Sequence, residues 1–335
     1  MPVTLRSFAK INLGLRIGAS RADGYHELQT VYQTIGLHDL VRVSIERGSG
    51  IELQCADARV PKDQTNTCYR VVERAMPLLR AKGRVLIQID KRLPVQGGLG
   101  GASANAVSTL LGLERVLKKR LAAAERLRIV AEVGSDLPLF LLGGTVLGVG
   151  RGEQVYPLAD LPTMACVVVT PDIGVSTPKA FADWDHRKAG ELRSAEQPMA
   201  AVRTEGKLTI SRSSDRMSEL GCGLSAWLSE QFSGAPFGRG RAENPLLALV
   251  RAGIKNDFEE VVFPEYPELG EAKTALLRAG AKYASLSGSG STLYGLFASK
   301  AAARSAALRV QRLGWAAQVA GTLSRSAYWR RILVG

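Results

Sequence analysis

The chain has 335 residues, 46% of them hydrophobic and 22% charged, with a formal net charge of +13. That length suits two domains sharing a cleft, and the composition excludes a disordered or collagen-like chain. Lys and Arg are spread along the sequence without a dense basic run, which argues against nucleic-acid binding and favours a solvated surface attractive to small polyanions.

The opening segment Met1-Pro2-Val3-Thr4-Leu5-Arg6 leads into no long apolar run, and no window offers a membrane span, so a cytoplasmic protein without membrane contact is expected. Cys55, Cys68, Cys166 and Cys222 are scattered and form no CxxC pair, which predicts buried or incidental thiols and neither a disulfide framework nor a zinc site.

In chain order, Ser7 to Leu15 alternates: Ala9, Ile11, Leu13 and Leu15 share one face, Phe8, Lys10 and Asn12 the other, as in a half-buried strand. Leu40 to Ile45 and Val85 to Asp90 are also strand-like, with an amphipathic helix at Thr67 to Leu79 between them. Gly97-Gly98-Leu99-Gly100-Gly101-Ala102-Ser103 then leads into Val107, Leu110, Leu111 and Leu117 at helical spacing, giving strand, glycine loop, helix. A further helix at Leu121 to Val133 is expected to stop at a left-handed Gly134, and Pro138 to open another short helix.

Beyond Gly150 the chain starts anew with a buried-strand run at Cys166 to Thr170. Asp183 to Asn244, rich in Gly, Ser and Arg, reads as an insertion or excursion without regular pattern. Helices at Pro245 to Ala252, Pro267 to Ala279 and Lys300 to Leu313 follow, with strands at Tyr283 to Leu286, Thr292 to Phe297 and Ala316 to Leu323. The mixture favours an α+β fold in two domains, 1–157 and 158–335.

The glycine loop has two readings from its residues alone. Without Cβ atoms its N–H groups can approach a phosphate at the head of a helix, or it is a plain turn. No Lys-Ser or Lys-Thr closes it as in a Walker P-loop, no GxGxxG follows a strand, and the HRD and DFG segments of protein kinases are absent. Asp136 is a candidate general base or an N-cap for the helix at Pro138. Lys10 is a candidate partner for it or an ordinary lysine on the wet face of a strand, and Asn12 shares that face.

Pro94-Val95-Gln96-Gly97-Gly98-Leu99-Gly100-Gly101-Ala102-Ser103-Ala104-Asn105 resembles the second motif of the GHMP kinase superfamily. Ser7 to Leu13 resembles the first motif and Ser285-Leu286-Ser287-Gly288-Ser289-Gly290-Ser291-Thr292 the third. Arg21 to Leu28, with its Asp-Gly-Tyr-His core, Gly134 to Phe140 and Asn256-Asp257-Phe258-Glu259 are similar to the branch acting on a cytidine-diphosphate-linked methylerythritol. Ala102, Ala104 and Ser291 depart from residues common at those motif positions.

The resemblance implies an N-terminal domain like the second domain of ribosomal protein S5 and a ferredoxin-like C-terminal domain. It implies ATP-dependent phosphorylation of the substrate's 2-hydroxyl in the non-mevalonate isoprenoid pathway, by a monomer or weak homodimer. ATP would be held by Pro94, Gly97, Gly98, Leu99, Gly100, Gly101, Ala102, Ser103 and Asn105. Mg2+ accompanies it, with Ser103 as the candidate hydroxyl and the remaining metal ligands open. Lys10 and Asp136 take the catalytic roles, and Asn12 orients the hydroxyl or a phosphate. Tyr25 and Phe181 would sandwich the cytosine while His26 hydrogen-bonds it, with Tyr32 lining the same region. Thr177, Gly288, Ser289 and Gly290 complete the substrate side.

Overall fold

The computed structural model describes residues 1–195 and 254–334. It begins with a long antiparallel hairpin, β1 (Val3–Ser20) and β2 (His26–Glu46), in which Lys10 lies opposite Thr34 and Asn12 opposite Tyr32. The register shifts between Phe8 and Lys10 and again between Asn12 and Gly14. Such bulges re-aim side chains locally, and these two flank the polar pair of the strand.

β3 (Ile51–Cys55), α1 (Thr67–Leu78) and β4 (Arg84–Asp90) follow, with β3 and β4 parallel. Asn66 caps α1 by accepting from the Cys68 N–H. After the glycine loop come α2 (Gly101–Leu117), α3 (Ala123–Val133) and a 3-10 turn at Pro138–Leu141 with proline at its start. β5 (Thr145–Val149) and β6 (Gln154–Pro157) complete a six-stranded sheet of order β3-β4-β2-β5-β6, with β1 also on β2.

The second sheet joins β7 (Ala165–Val169), β8 (Tyr283–Leu286), β9 (Leu293–Phe297) and β10 (Ala317–Gly321) in the order β10-β7-β9-β8, all antiparallel. The helices of this half are α4 (Thr177–Ala195), α5 (Glu259–Glu265), α6 (Pro267–Arg278) and α7 (Lys300–Arg312). Helical segments between β7 and β8 and between β9 and β10 make this the split βαβ arrangement of ferredoxin-like domains. The fold is α+β.

β7 is apolar throughout because both its faces are covered. Val167 and Val169 pack with Leu269, Leu276 and Ala303 of the helices, whereas Cys166 and Val168 pack with Ala9, Ile11 and Leu13 of β1. For the same reason β1 is not the half-buried strand its alternation predicts. Ser7 to Ile17 is buried on both faces, since the second sheet covers the apolar face and the glycine loops cover the polar one. The chain passes from one sheet to the other between Pro157 and Ala165, but its end returns: α8 (Arg325–Arg331) puts Tyr328 into the core with Phe8 and Leu110, and the Arg6 N–H donates to the Ile332 carbonyl at 2.7 Å.

Two local expectations are corrected. Gly134 follows α3 with φ 179°, extended and not left-handed, a backbone that any residue adopts; a Cβ there would stand 2.9 Å from the movable Cδ1 of Leu137. The first thirteen residues of the stretch read as an excursion, 183–195, lie in α4, where Trp184 and Ala180 supply the buried stripe. Its remainder and the helix expected at Pro245 to Ala252 lie outside the described residues.

Candidate active site

The glycine loop is shaped by a buried carboxylate. Asp39, on β2 and fully enclosed, accepts from Lys91 Nζ (2.7 Å), from the N–H groups of Arg92 and Leu93 (2.7 Å each) and from Asn105 Nδ2 (3.0 Å). One anion thus ties the end of β4 to the first turns of α2, with the loop slung between them. Gly98 (φ 74°) and Gly100 (φ 69°) have left-handed backbones that glycine adopts without strain, and Gly100 is the N-cap of α2. Pro94, Gly97, Gly98, Leu99, Gly100, Gly101, Ala102, Ser103 and Asn105 line a cavity of about 360 Å³ whose far wall includes Val60, Pro61 and Thr67. Its N–H groups and helix start suit phosphate oxygens.

Below the loop sits the charged group. Lys10 is only 3% exposed; its Nζ donates to Asn12 Oδ1 at 2.7 Å and lies 3.4 Å from Asp136 Oδ2. Asn12 in turn donates through Nδ2 to Thr30 Oγ1 at 2.8 Å, so its carbonyl is presented to the ammonium. Asp136 is no N-cap: that position falls to Leu137, which makes no side-chain cap bond. Its Oδ1 instead accepts from the Tyr32 hydroxyl at 3.0 Å, and the carboxylate remains about one-third exposed. Burial, with the Asp136 carboxylate next in importance, holds the Tyr32 phenol well above its usual range, so Tyr32 is a lasting proton donor here. A lysine buried this deeply needs a partner, and the wet-face reading of Lys10 is excluded.

The third glycine segment closes the site from the other half. Ser287 Oγ donates to the Gly98 carbonyl at 2.9 Å, and a Cβ on Gly98 would collide with the Ser287 carbonyl oxygen. Gly288 (φ 59°) lies beside Lys10 and Asn12: a Cβ there would be 3.6 Å from both Lys10 Nζ and Asn12 Oδ1. Ser289 Oγ is 2.7 Å from Thr177 Oγ1 at the start of α4, and Gly290 is also left-handed.

Asn256 to Glu259 explain how that segment is held. Asn256 Nδ2 donates to the carbonyls of Leu286 (2.9 Å) and Gly288 (2.7 Å), and Asp257 accepts from Arg16 (3.2 Å) and the Ile17 N–H (3.0 Å) on β1. Phe258 meets Phe181 edge-on at 4.9 Å, while Glu259 accepts from Ser285 Oγ and the Leu286 N–H at 2.9 Å each. Four consecutive residues therefore bind β1, α4 and the end of β8 to one another.

The aromatic group joins His26 to Phe181 and sets Tyr25 apart from them. His26, nearly buried, stacks on Phe181 with ring centroids 4.9 Å apart and planes 10° apart, and its Nε2 is 2.7 Å from Asp185 Oδ1 and 3.2 Å from Ser20 Oγ. Tyr25 is 52% exposed, and the Arg151 guanidinium lies 4.9 Å over its ring. Phe181 thus has His26, not Tyr25, on its face. Tyr32 stands with Lys10 and Asp136, its ring centroid 5.6 Å from Lys10 Nζ.

Sequence reasoning missed Asp39, Arg151 and Asp185. Asp39 and Asp185 owe their importance to partners 52 to 159 residues away, and no local pattern marks them.

A β-hairpin sheet with a glycine-headed helix, closed against a ferredoxin-like half over a buried lysine paired with a part-exposed aspartate, defines a small-molecule kinase of the GHMP class. The family models described as GHMP kinases N terminal domain and GHMP kinases C terminal match residues 66–144 and 242–314. The chain is 36% identical over 293 residues to a 4-diphosphocytidyl-2-C-methyl-D-erythritol kinase of Solibacter usitatus, covering 88% of this chain and 80% of that protein. It is 34% identical over 309 residues to the protein of the same name from Moorella thermoacetica, covering 92% and 95%. A crystal structure of 4-(cytidine 5'-diphospho)-2C-methyl-D-erythritol kinase superposes with a TM-score of 0.67 at 28% identity, over 95% of this chain and 98% of the other. A homoserine kinase structure from Cytophaga hutchinsonii shares the fold, with a TM-score of 0.69 at 19% identity over 96% and 95% of the two chains. The chain belongs to the 4-diphosphocytidyl-2-C-methyl-D-erythritol kinase family.

Proposed function

We propose that the chain transfers the γ-phosphoryl group of ATP to the 2-hydroxyl of 4-diphosphocytidyl-2-C-methyl-D-erythritol, a step of non-mevalonate isoprenoid synthesis. The observation that carries the mechanism is the Lys10–Asp136 pair at 3.4 Å beneath the glycine loop. Asp136 accepts the hydroxyl proton as the oxygen attacks, and Tyr32 fixes the carboxylate from its other side. Lys10 offsets negative charge on the transferring group, steered by Asn12. The reading takes 1–157 as the lobe carrying nucleotide and catalytic groups and 158–335 as the second lobe, with α8 returning to the first.

ATP lies in the glycine cavity, its phosphates on the N–H groups of 97–101. Mg2+ commonly keeps waters and substrate phosphate oxygens among its ligands, and Ser103, which lines the cavity on the first turn of α2, would offer it a protein hydroxyl. The ion would supply charge neutralisation at the phosphates. Among the described residues no group of three or more His, Cys, Asp or Glu is gathered as a metal cage, and no helix is long and apolar enough to cross a membrane. We read the enzyme as a cytoplasmic monomer or weak homodimer that recognises only small molecules.

The cytosine is recognised by Tyr25, His26 and Phe181, with Thr177 and Gly288-Ser289-Gly290 alongside the diphosphate-linked alcohol. For the base to lie on Tyr25 it replaces the Arg151 guanidinium, one flat cover exchanged for another. A coupled ADP-release assay tests the reading with the diphosphocytidyl substrate beside homoserine, mevalonate and galactose. Turnover confined to the cytidyl compound is expected; preference for any of the others overturns the substrate assignment.

A further inference from the structure

At the end of α2 remote from the glycine loop lies a concavity of about 520 Å³ that the proposed reaction does not use. At about 1.5 Å rise per residue, the seventeen residues of α2 separate the two places by roughly 25 Å. Its walls are Leu111, Glu114, Arg115, Lys118, Lys119, Arg120, Arg126 and Trp329, five cations against one carboxylate.

Three of these side chains have structural work. Glu114 is buried and accepts from the Leu121 N–H (2.8 Å) and from Arg126 (3.0 Å), which neutralises it. Lys119 donates to the carbonyls of Leu79 and Arg80 at 2.8 and 3.0 Å. Arg115, Lys118 and Arg120 are exposed, and no ion pair is described for any of them, although cations near a helix C-terminus also gain from its dipole. The dipole accounts for one or two such charges on an open surface; it does not account for a basic hollow walled by an indole. Trp329 is 38% exposed, and its Nε1 donates to the Leu142 carbonyl at 3.0 Å, so the ring is locked in place with part of it bare.

We propose that this hollow binds a small organic diphosphate: the phosphates on Arg115, Lys118 and Arg120, the organic group on Trp329 and Leu111. Guanidinium groups pair with phosphate through two parallel N–H bonds, which a halide cannot match, and a diphosphate brings more charge to three cations than a single carboxylate does. The volume suits a metabolite-sized ligand and is too small for a macromolecule, and the apolar wall favours a diphosphate ester over bare pyrophosphate. Trp329 and its neighbour Tyr328, whose hydroxyl donates to the Phe140 carbonyl at 2.8 Å, grip the 3-10 turn that follows Asp136. An occupant of the hollow therefore rests on the helix that holds that turn.

The test uses the full chain and n-octyl diphosphate as probe, with hydrogen–deuterium exchange to locate it and calorimetry to measure it. Slower exchange is expected in peptides covering 113–123 and 325–331. Arg115→Ser/Lys118→Ser/Arg120→Ser is expected to weaken binding by about tenfold or more, the scale of losing even one charged hydrogen bond. Arg304→Ser/Arg309→Ser/Arg312→Ser, equal in charge and placed on α7, is expected to bind as the native chain does. Protection limited to 94–103 would assign the probe to the glycine loop and overturn the proposal, as would equal weakening in both triple variants, the mark of general attraction to a basic protein. Neither measurement depends on turnover, so failure of the kinase reading leaves this test intact.

Discussion

The Tyr32 hydroxyl donates to Asp136 Oδ1 at 3.0 Å from a buried position on β2, while Lys10 approaches the other carboxylate oxygen. The carboxylate is thereby held from both sides, with its exposed edge left for a substrate hydroxyl. Tyr32→Phe removes the donor and keeps the ring. A fall in kcat of about tenfold is expected, the scale of one hydrogen bond to a charged group, with KM for ATP little changed. Steady-state kinetics check it; unchanged kcat would mean that the bond only packs the core.

Asp136→Asn keeps the shape of the site and removes the proton acceptor. Turnover is expected to fall by about 10²- to 10⁴-fold while calorimetry shows ATP binding nearly intact. Lys10→Ala acts likewise on kcat. Lys10→Arg does not restore it, because a planar guanidinium does not fit the compact space between Asn12, Gly100 and Gly288.

Gly98→Ala tests the joint between the two glycine segments. The left-handed backbone alone costs about 1–2 kcal/mol with a Cβ, and the added methyl also drives against the Ser287 carbonyl. A lower Tm together with a raised KM for ATP is expected; a variant that matches the native protein in both would show that the segments need not touch.

Tyr25→Ala probes recognition of the base with little structural side effect, since this ring is half exposed. Loss of a stacking partner costs about 1 to 3 kcal/mol. KM for the cytidyl substrate is expected to rise with KM for ATP unchanged. Asp185→Asn, which alters the partner of His26, is expected to reduce discrimination between cytosine and uracil. Methylerythritol 4-phosphate turned over as efficiently as the cytidyl compound would refute a base pocket altogether.

Stability is expected to fall at alkaline pH. Burial pushes the Cys68 and Cys166 thiols up to about 12 and raises the phenols of Tyr32, Tyr283, Tyr294 and Tyr328. In the unfolded chain these groups ionise at about 8.5 for Cys and 10 for Tyr. Between those values and the folded ones the unfolded state has released protons that the folded state keeps. The contribution is therefore complete below about pH 8 and is lost as pH rises. Urea unfolding from pH 8 to 11 measures it; a flat profile would contradict the burial of these groups.

Periodicity in the sequence determined α1, α2, β4, β8, β9, α7 and β10, because each buries one stripe or one face and carries its signature in residues a turn or two apart; it did not mark α8. The motif residues identified the glycine loops and the Lys10 and Asp136 candidates. It did not mark β3, β5 and β6, strands of four or five residues, nor α5, seven residues ending near Pro264. α4 was hidden in a stretch whose buried stripe is short.

What the tertiary structure alone decided is the state of the site residues. Lys10 looks like a surface lysine until the second sheet and two glycine segments enclose it, and Asp136 like a helix cap until the extended Gly134 carries it toward Lys10. Asp39 gathers donors from residues 91, 92, 93 and 105, and Asn256 those carbonyls that shape 286–288. Composition and spacing record which groups are present within a few residues. Burial and charge pairing depend on which distant segments meet, and that is settled only when the sheets pack.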